Sequence, residues 1–292
     1  MVSRRTSLWL TLGLLSGFLL LDGCSTSAQR MDMKAADFGY RSQVVRSSEF
    51  LHRIYRNRFG IERTSGMLHV YLEGDGTPWV ANHNVIAADP TPHSPLMLEL
   101  MALDKRAAIH EGRPCYNGYA GTPACGPALW TDARYSEKVV DSMAQVLRKR
   151  LRQEGANGLV LFGHSGGGVL AVLLASRLPQ TRALVTIGAN LDIDAWTDMH
   201  GYSRLGDSLN PANEPALDSS VAQLHLIGGR DRNVPPRLLQ SYRSRQPDAQ
   251  VVVMPGYDHV CCWRELWPKV LEWVSMASAG PADHRVVRFP NQ

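Results

Sequence analysis

The segment Gly158–Leu178 constrains this chain more than any other. It begins with a short apolar run, Leu159-Val160-Leu161-Phe162, of strand length. It passes through Gly163-His164-Ser165-Gly166-Gly167 and continues as Gly168-Val169-Leu170-Ala171-Val172-Leu173-Leu174-Ala175, apolar and of helical length. A strand that turns into a helix within five residues brings two backbones almost into contact, so the flanking positions must be small. The apex residue takes strained backbone and is lifted off the sheet edge. Ser165 is that residue. A hydroxyl presented this way is a candidate nucleophile; the alternative is an ordinary βα turn without chemistry.

The first residues read as a targeting segment. Arg4 and Arg5 precede an apolar run of about fourteen residues, Leu8 to Leu21, then Asp22-Gly23-Cys24. The run is short for a membrane span, which needs about twenty residues. Leu21-Asp22-Gly23-Cys24 resembles a bacterial lipobox, although Asp22 departs from the small or apolar residue usual there. The resemblance implies that residues 1–23 are a lipoprotein signal peptide and that Cys24 is the lipid-modified first residue of the mature chain. Ser25 after the cysteine implies outer-membrane sorting. On this reading the protein sits in the cell envelope, residues 24–37 are a polar tether, and residues 38–292 form a single domain.

Removing the signal leaves roughly 268 residues, enough for one α/β domain with a sizeable core. The net charge of +4 is mixed along the chain, with no basic stripe, which argues against a nucleic-acid partner. Four cysteines remain. In an oxidising compartment Cys115 and Cys125 are disulfide candidates, because a bridge would close the Gly/Pro-rich loop between them. Cys261 and Cys262 are adjacent, and the sequence leaves their pairing open. Metal-ligand spacing is absent from the sequence, so no metal or other cofactor is expected.

Strands and helices alternate along the mature chain. Val44–Arg58 reads as the first antiparallel strands, and Met67–Leu72, Arg106–His110, Ala183–Ile187, Ala222–Ile227 and Gln250–Met254 as further strands. Helices are expected over Pro95–Leu103, Asp132–Glu154 and Arg264–Met276. In the second, Tyr135, Val139, Met143, Val146, Leu147 and Leu151 make the apolar stripe, with Arg148, Lys149, Arg150 and Arg152 on the solvated face. Such alternation implies a mostly parallel sheet covered by helices on both faces. Roughly thirty residues between Ile187 and Ala222 exceed a plain αβ connection. Trp196, Met199 and Tyr202 within them favour a small cap-like insertion over about 190–220.

A serine nucleophile needs a base within hydrogen-bond reach and an acid to orient that base. Gly228-Gly229-Arg230-Asp231-Arg232-Asn233-Val234-Pro235 follows one expected strand, and Gly256-Tyr257-Asp258-His259 follows the last. The order Ser165, Asp231, His259 at three strand ends, with the strand–Gly-x-Ser-x-Gly–helix unit, resembles the α/β-hydrolases from about Gly60 to Met276. Rivals exist for each role. His284 lies in a polar tail, Asp192 and Asp194 follow an earlier strand, Asp258 adjoins the histidine, and His164 reads as a spacer beside the strand.

The resemblance implies an oxyanion hole made by the Gly166 N–H and by a second N–H from Glu73-Gly74-Asp75-Gly76. Asp75 falls at that donor position. Carboxylates there oppose a developing negative charge, so the side chains of Glu73 and Asp75 must point away or be paired. The implied activity is hydrolysis of a small-molecule ester, or of a thioester or amide, through an acyl-enzyme on Ser165, by a protein held to a membrane through its lipid anchor. The competing class is a catalytically silent envelope lipoprotein that uses the same fold as a binding or scaffold module.

Overall fold

The structure is a computed structural model and describes residues 25–64, 66–81, 84–278 and Phe289. The signal segment, Cys24 and His284 lie outside the described residues.

Eight strands make one sheet in the order β1-β2-β6-β3-β7-β8-β9-β10. They are β1 (Arg41–Arg46), β2 (Leu51–Arg56), β3 (Met67–Leu72), β6 (Ala108–Glu111), β7 (Gly158–His164), β8 (Thr181–Ile187), β9 (Ala222–Gly228) and β10 (Gln250–Met254). The six from β6 to β10 in sheet order run parallel, while β1 and β2 pair antiparallel at one edge. A separate two-stranded ribbon joins β4 (Trp79–Val80) to β5 (Val85–Ile86).

The central strand explains the layering. Every residue of β7 is buried, as a parallel strand covered on both faces requires. Its side chains alternate between two cores. Leu159 and Leu161 join one cluster with α3 (Glu137–Glu154) and α4 (Gly166–Arg177), while Val160 and Phe162 join another with α2 (Leu96–Met101) and α7 (Trp263–Ala277). Each such side chain contributes about 1.5–3 kcal/mol by leaving water. The sheet is therefore fixed from both sides. Because six parallel strands end along one edge, the loops after β3, β7, β9 and β10 converge there.

The expected elements form, with instructive departures. In α3 the whole stripe from Val139 to Leu151 is buried, and Gly155 in the left-handed region (φ 66°) ends the helix. Arg150 is buried too, not solvated as expected. It bonds Gln43 and Gln153 at 3.0 Å and pairs with Glu154, which also takes Arg56. The tether is likewise corrected. Ser27–Asp37 is a helix, α1, started by Thr26 and Gln29 in a reciprocal capping box. Met31 and Ala35 bury it against Tyr55 and Leu98. Short polar residues around Ser25 read as a linker, yet Met31 and Ala35, four apart, share one helical face.

Both cysteine pairs are joined. Cys115–Cys125 closes the expected loop, and Cys261–Cys262 bridge each other immediately before α7.

Candidate active site

Ser165 stands between β7 and α4 with φ 51° and ψ −125°. For a residue with a side chain this is strained backbone, and it persists because both neighbours over-determine it. The Ser165 N–H donates to the Ile187 carbonyl at 2.8 Å, and the Ser165 carbonyl accepts from Gly168 at 2.9 Å. A Cβ on Gly163 would lie 2.2 Å from the Gly167 carbonyl oxygen, and one on Gly166 would lie 1.9 Å from an Asp75 carboxylate oxygen. Those two glycines are steric necessities.

His259 follows β10 and Asp231 follows β9, and the structure brings them together. His259 Nδ1 is 2.7 Å from Asp231 Oδ2. The other carboxylate oxygen, Oδ1, accepts the N–H groups of Asn233 and Val234 at 2.9 and 2.8 Å. Asp231 is thus fully buried yet satisfied, while the His259 side chain keeps 21 % of its surface open to the cleft. An ionised carboxylate only accepts, so Nδ1 carries the ring proton and Nε2 presents its lone pair.

The rival acids do other work. Asp192 caps α5 (Ile193–His200) through the Ala195 N–H, and Asp194 pairs with Arg204 at 2.8 Å. Asp258 folds forward to accept from the N–H groups of Val260 and Cys261. His164 is more than a spacer. Its Nε2 donates to the His259 carbonyl at 2.8 Å, and its ring lies 4.8 Å from that of His259. Burial, with the adjacent His259 charge, pushes His164 down to about 4, so the ring is neutral at physiological pH.

On the opposite side, the loop after β3 approaches the serine. A Cβ on Gly74 would touch Ser165 Cβ at 3.4 Å. The N–H groups of Asp75 and Gly166 have no acceptor among the described residues. Both carboxylates of this loop are paired, as expected. Glu73 turns back to accept from the N–H groups of Met97 and Leu98 at the start of α2, at 2.5 and 3.1 Å. Burial nevertheless raises it to about 7. The Asp75 carboxylate takes Arg113 at 2.8 Å, Arg134 at 3.0 Å and the Tyr135 hydroxyl at 2.6 Å. Burial would raise Asp75, but the two guanidinium charges prevail and hold it at about 2. Tyr116, beside Cys115, donates to the Asp75 carbonyl at 3.0 Å.

Ser165, His259 and the Glu73–Gly76 loop share a cleft of about 1020 Å³. Trp79 and Ile86 of the β4–β5 ribbon line one side, and Trp196, Tyr202 and Leu205 line the other. The excursion after β8 is therefore a wall of the cleft. Asn233, which the sequence did not single out, also faces it. Its amide Nδ2 lies 3.2 Å from His259 Nε2. Nothing in the run Arg230–Pro235 distinguishes Asn233 from a turn residue. Among the described residues no group of three or more His, Cys, Asp or Glu side chains could hold a metal ion.

The sequence matches no family profile, and no curated protein resembles it in sequence. Solved structures do resemble it in fold. A membrane phospholipase A described as a bacterial virulence factor aligns over 86 % of this chain and 91 % of its own, at 15 % identity and a TM-score of 0.53. Proline iminopeptidase from Mycobacterium smegmatis aligns over 82 % and 99 %, at 14 % identity and 0.59. Mouse alpha/beta hydrolase domain-containing protein 10 aligns over 82 % and 100 %, at 16 % identity and 0.54. With the sheet order above, these place the chain in the α/β-hydrolase fold.

Proposed function

We propose that this protein is a serine hydrolase that cleaves carboxylic esters through an acyl-enzyme. The observation that carries the reading is the strained, cleft-facing Ser165 beside a histidine whose tautomer a buried carboxylate fixes. Ser165 Oγ bonds to the acyl carbon while His259 Nε2 takes its proton, and Asp231 stabilises the imidazolium that forms. The N–H groups of Gly166 and Asp75 donate hydrogen bonds to the oxyanion. As the ester C–O bond breaks, the leaving alcohol recovers the proton from His259. Water then repeats the sequence on the acyl group and frees Ser165.

The cleft lining favours an apolar acyl or alkyl group. Arg134 shares Asp75 with Arg113, and Arg204 pairs with Asp194 and Asp198, while Trp79, Ile86, Trp196, Tyr202 and Leu205 offer apolar contact. A small acyl or alkyl ester fits that apolar lining. The lipobox-like Leu21–Cys24 supports an envelope enzyme, with Cys24 lipid-modified and the cleft working at or near a membrane.

The test is active-site labelling with a fluorophosphonate, together with turnover of short p-nitrophenyl esters. Wild-type protein should label and turn over, and Ser165→Ala should abolish both. Unchanged turnover in Ser165→Ala would end the proposal. Absence of labelling in well-folded wild-type protein would leave a scaffold instead.

A further inference from the structure

We infer that Asn233 is a positioning residue that keeps the base, His259, from Ser165 until substrate fills the cleft. The inference rests on the hydrolase reading and adds a control to it. Its starting point is a competition at one atom. Because Asp231 holds the Nδ1 proton, His259 Nε2 has a single in-plane lone pair. Asn233 Nδ2 sits 3.2 Å from it.

The orientation of that amide is fixed chemically. Trp196 Nε1 lies 3.3 Å from Asn233 Oδ1, and an indole N–H can only donate. The carbonyl end of the amide therefore faces Trp196, and its NH₂ end faces His259. Ser165 Oγ has no hydrogen-bond partner among the described residues, and it needs the same lone pair to lose its proton. Asn233 and Ser165 exclude one another.

Asn233 is also tied to the cleft wall from two sides. Besides Trp196, the His200 Nε2–H donates to the Asn233 carbonyl at 2.8 Å, and the Asn233 N–H reaches Asp231 at 2.9 Å. Trp196 packs edge-on against the stacked rings of His200 and Tyr202, with ring centroids 5.2–5.5 Å apart. Trp196 and Tyr202 line the cleft. A substrate that seats against them presses on that group, to which Asn233 Oδ1 is bonded through the indole N–H. The apolar wall thereby reports occupancy to the base, and substrates too short to reach it meet a histidine still engaged.

The experiment measures Ser165 phosphonylation by a small alkyl fluorophosphonate in the full-length protein. Asn233→Ala should label about fivefold faster than wild type, the worth of one hydrogen bond of about 1 kcal/mol. Trp196→Phe keeps a ring in place and removes only the N–H, and it should label about twofold faster. In Asn233→Ala the preference of kcat/KM for p-nitrophenyl octanoate over acetate should also shrink, with the gain on the acetate side. A purely structural role would slow both esters instead. Asn233→Ala with native circular dichroism that labels no faster than wild type overturns the inference. Should that variant misfold, Trp196→Phe decides: faster labelling supports the inference and an unchanged rate overturns it. Wild-type protein that fails to label sinks the hydrolase reading. Ser165-dependent labelling without acceleration in either variant sinks only the role of Asn233.

Discussion

The two walls that meet at Ser165 are built on opposite principles. The wall after β9 and β10 carries one buried carboxylate, Asp231, satisfied by two backbone N–H groups and one imidazole. The wall after β3 carries Asp75 in a cage of two arginines and a tyrosine from distant parts of the chain. Each wall also has a disulfide, Cys261–Cys262 two residues beyond His259 and Cys115–Cys125 behind Arg113 and Tyr116. On the proposed mechanism the first wall holds the group that moves a proton. The second holds the Asp75 carboxylate ionised, with its partners fixed around it. A base must move protons, whereas oxyanion donors must already point at the charge when it develops.

The largest expected effect lies on the mobile-proton wall. Asp231→Asn keeps the shape but offers Nδ1 a donor as readily as an acceptor, so the imidazole loses its fixed tautomer. kcat should fall about 10⁴-fold on short esters, with thermal stability changed little. A variant that keeps activity within tenfold of wild type would mean that Asp231 only closes a turn.

The static wall should answer in stability. Asp75→Asn leaves Arg113 and Arg134 buried without a counter-charge, at a cost of about 3–5 kcal/mol in urea unfolding. Activity per folded molecule should fall less than it does in Asp231→Asn. Because the folded carboxyl lies near 2, below its ordinary 3.8, the stability it contributes is present above pH 3.8 and is lost as pH falls through 2. An unchanged urea midpoint would remove the contrast between the walls.

The walls also differ in how far the sequence revealed them. Asp231 and His259 each lie just past a strand that hydrophobic patterning identifies, so their chain order, through its resemblance to the α/β-hydrolases, proposed the pair. The paired state of Asp75 could be inferred as a requirement, but its partners could not. Arg113 follows β6, and Arg134 and Tyr135 precede α3, and no local pattern links those places to a loop some 40 or 60 residues away. His164 was read as a spacer and Asn233 was passed over for another reason. Each bonds through a geometry that exists only once the strand ends are side by side, and each occupies a position where many residues would fit the turn. Arg150 was misread because helix periodicity marks a face without saying what packs on it, and β1 supplies Gln43 there. The parallel part of the sheet, by contrast, was legible, because parallel strands must be apolar on both faces, whereas exposed β1 begins before the expected Val44.

Glu73 sharpens the static wall by a smaller amount. Its carboxyl is raised from 4.5 to about 7 by burial, against three backbone N–H groups that pull it down. Folded protein therefore holds this proton over a range where unfolded protein has lost it. The associated stability is fully present below pH 4.5 and is lost as pH rises through 7, by about 1–3 kcal/mol. Glu73→Gln should flatten the fall in melting temperature between pH 5 and 8. An equal slope in both proteins would show that Glu73 titrates normally, and the wall would then be less rigidly desolvated than its geometry implies.

The smallest effect tests where the two walls touch. His164 reaches from the end of β7 to the His259 carbonyl, and its Nδ1 would lie 3.5 Å from a Cβ on Gly74. Its ring is neutral well above pH 4, so protonation cannot disturb it in the working range. On the proposed mechanism it holds the His259 loop in place beside the loop after β3 with one hydrogen bond, worth about 1 kcal/mol. His164→Gln can still donate to that carbonyl and should retain activity, while His164→Phe fills the space without donating and should lose about five- to tenfold in kcat. The split between these variants is the measurement. If both fall equally, packing rather than the hydrogen bond aligns the base, and the walls are joined by shape alone.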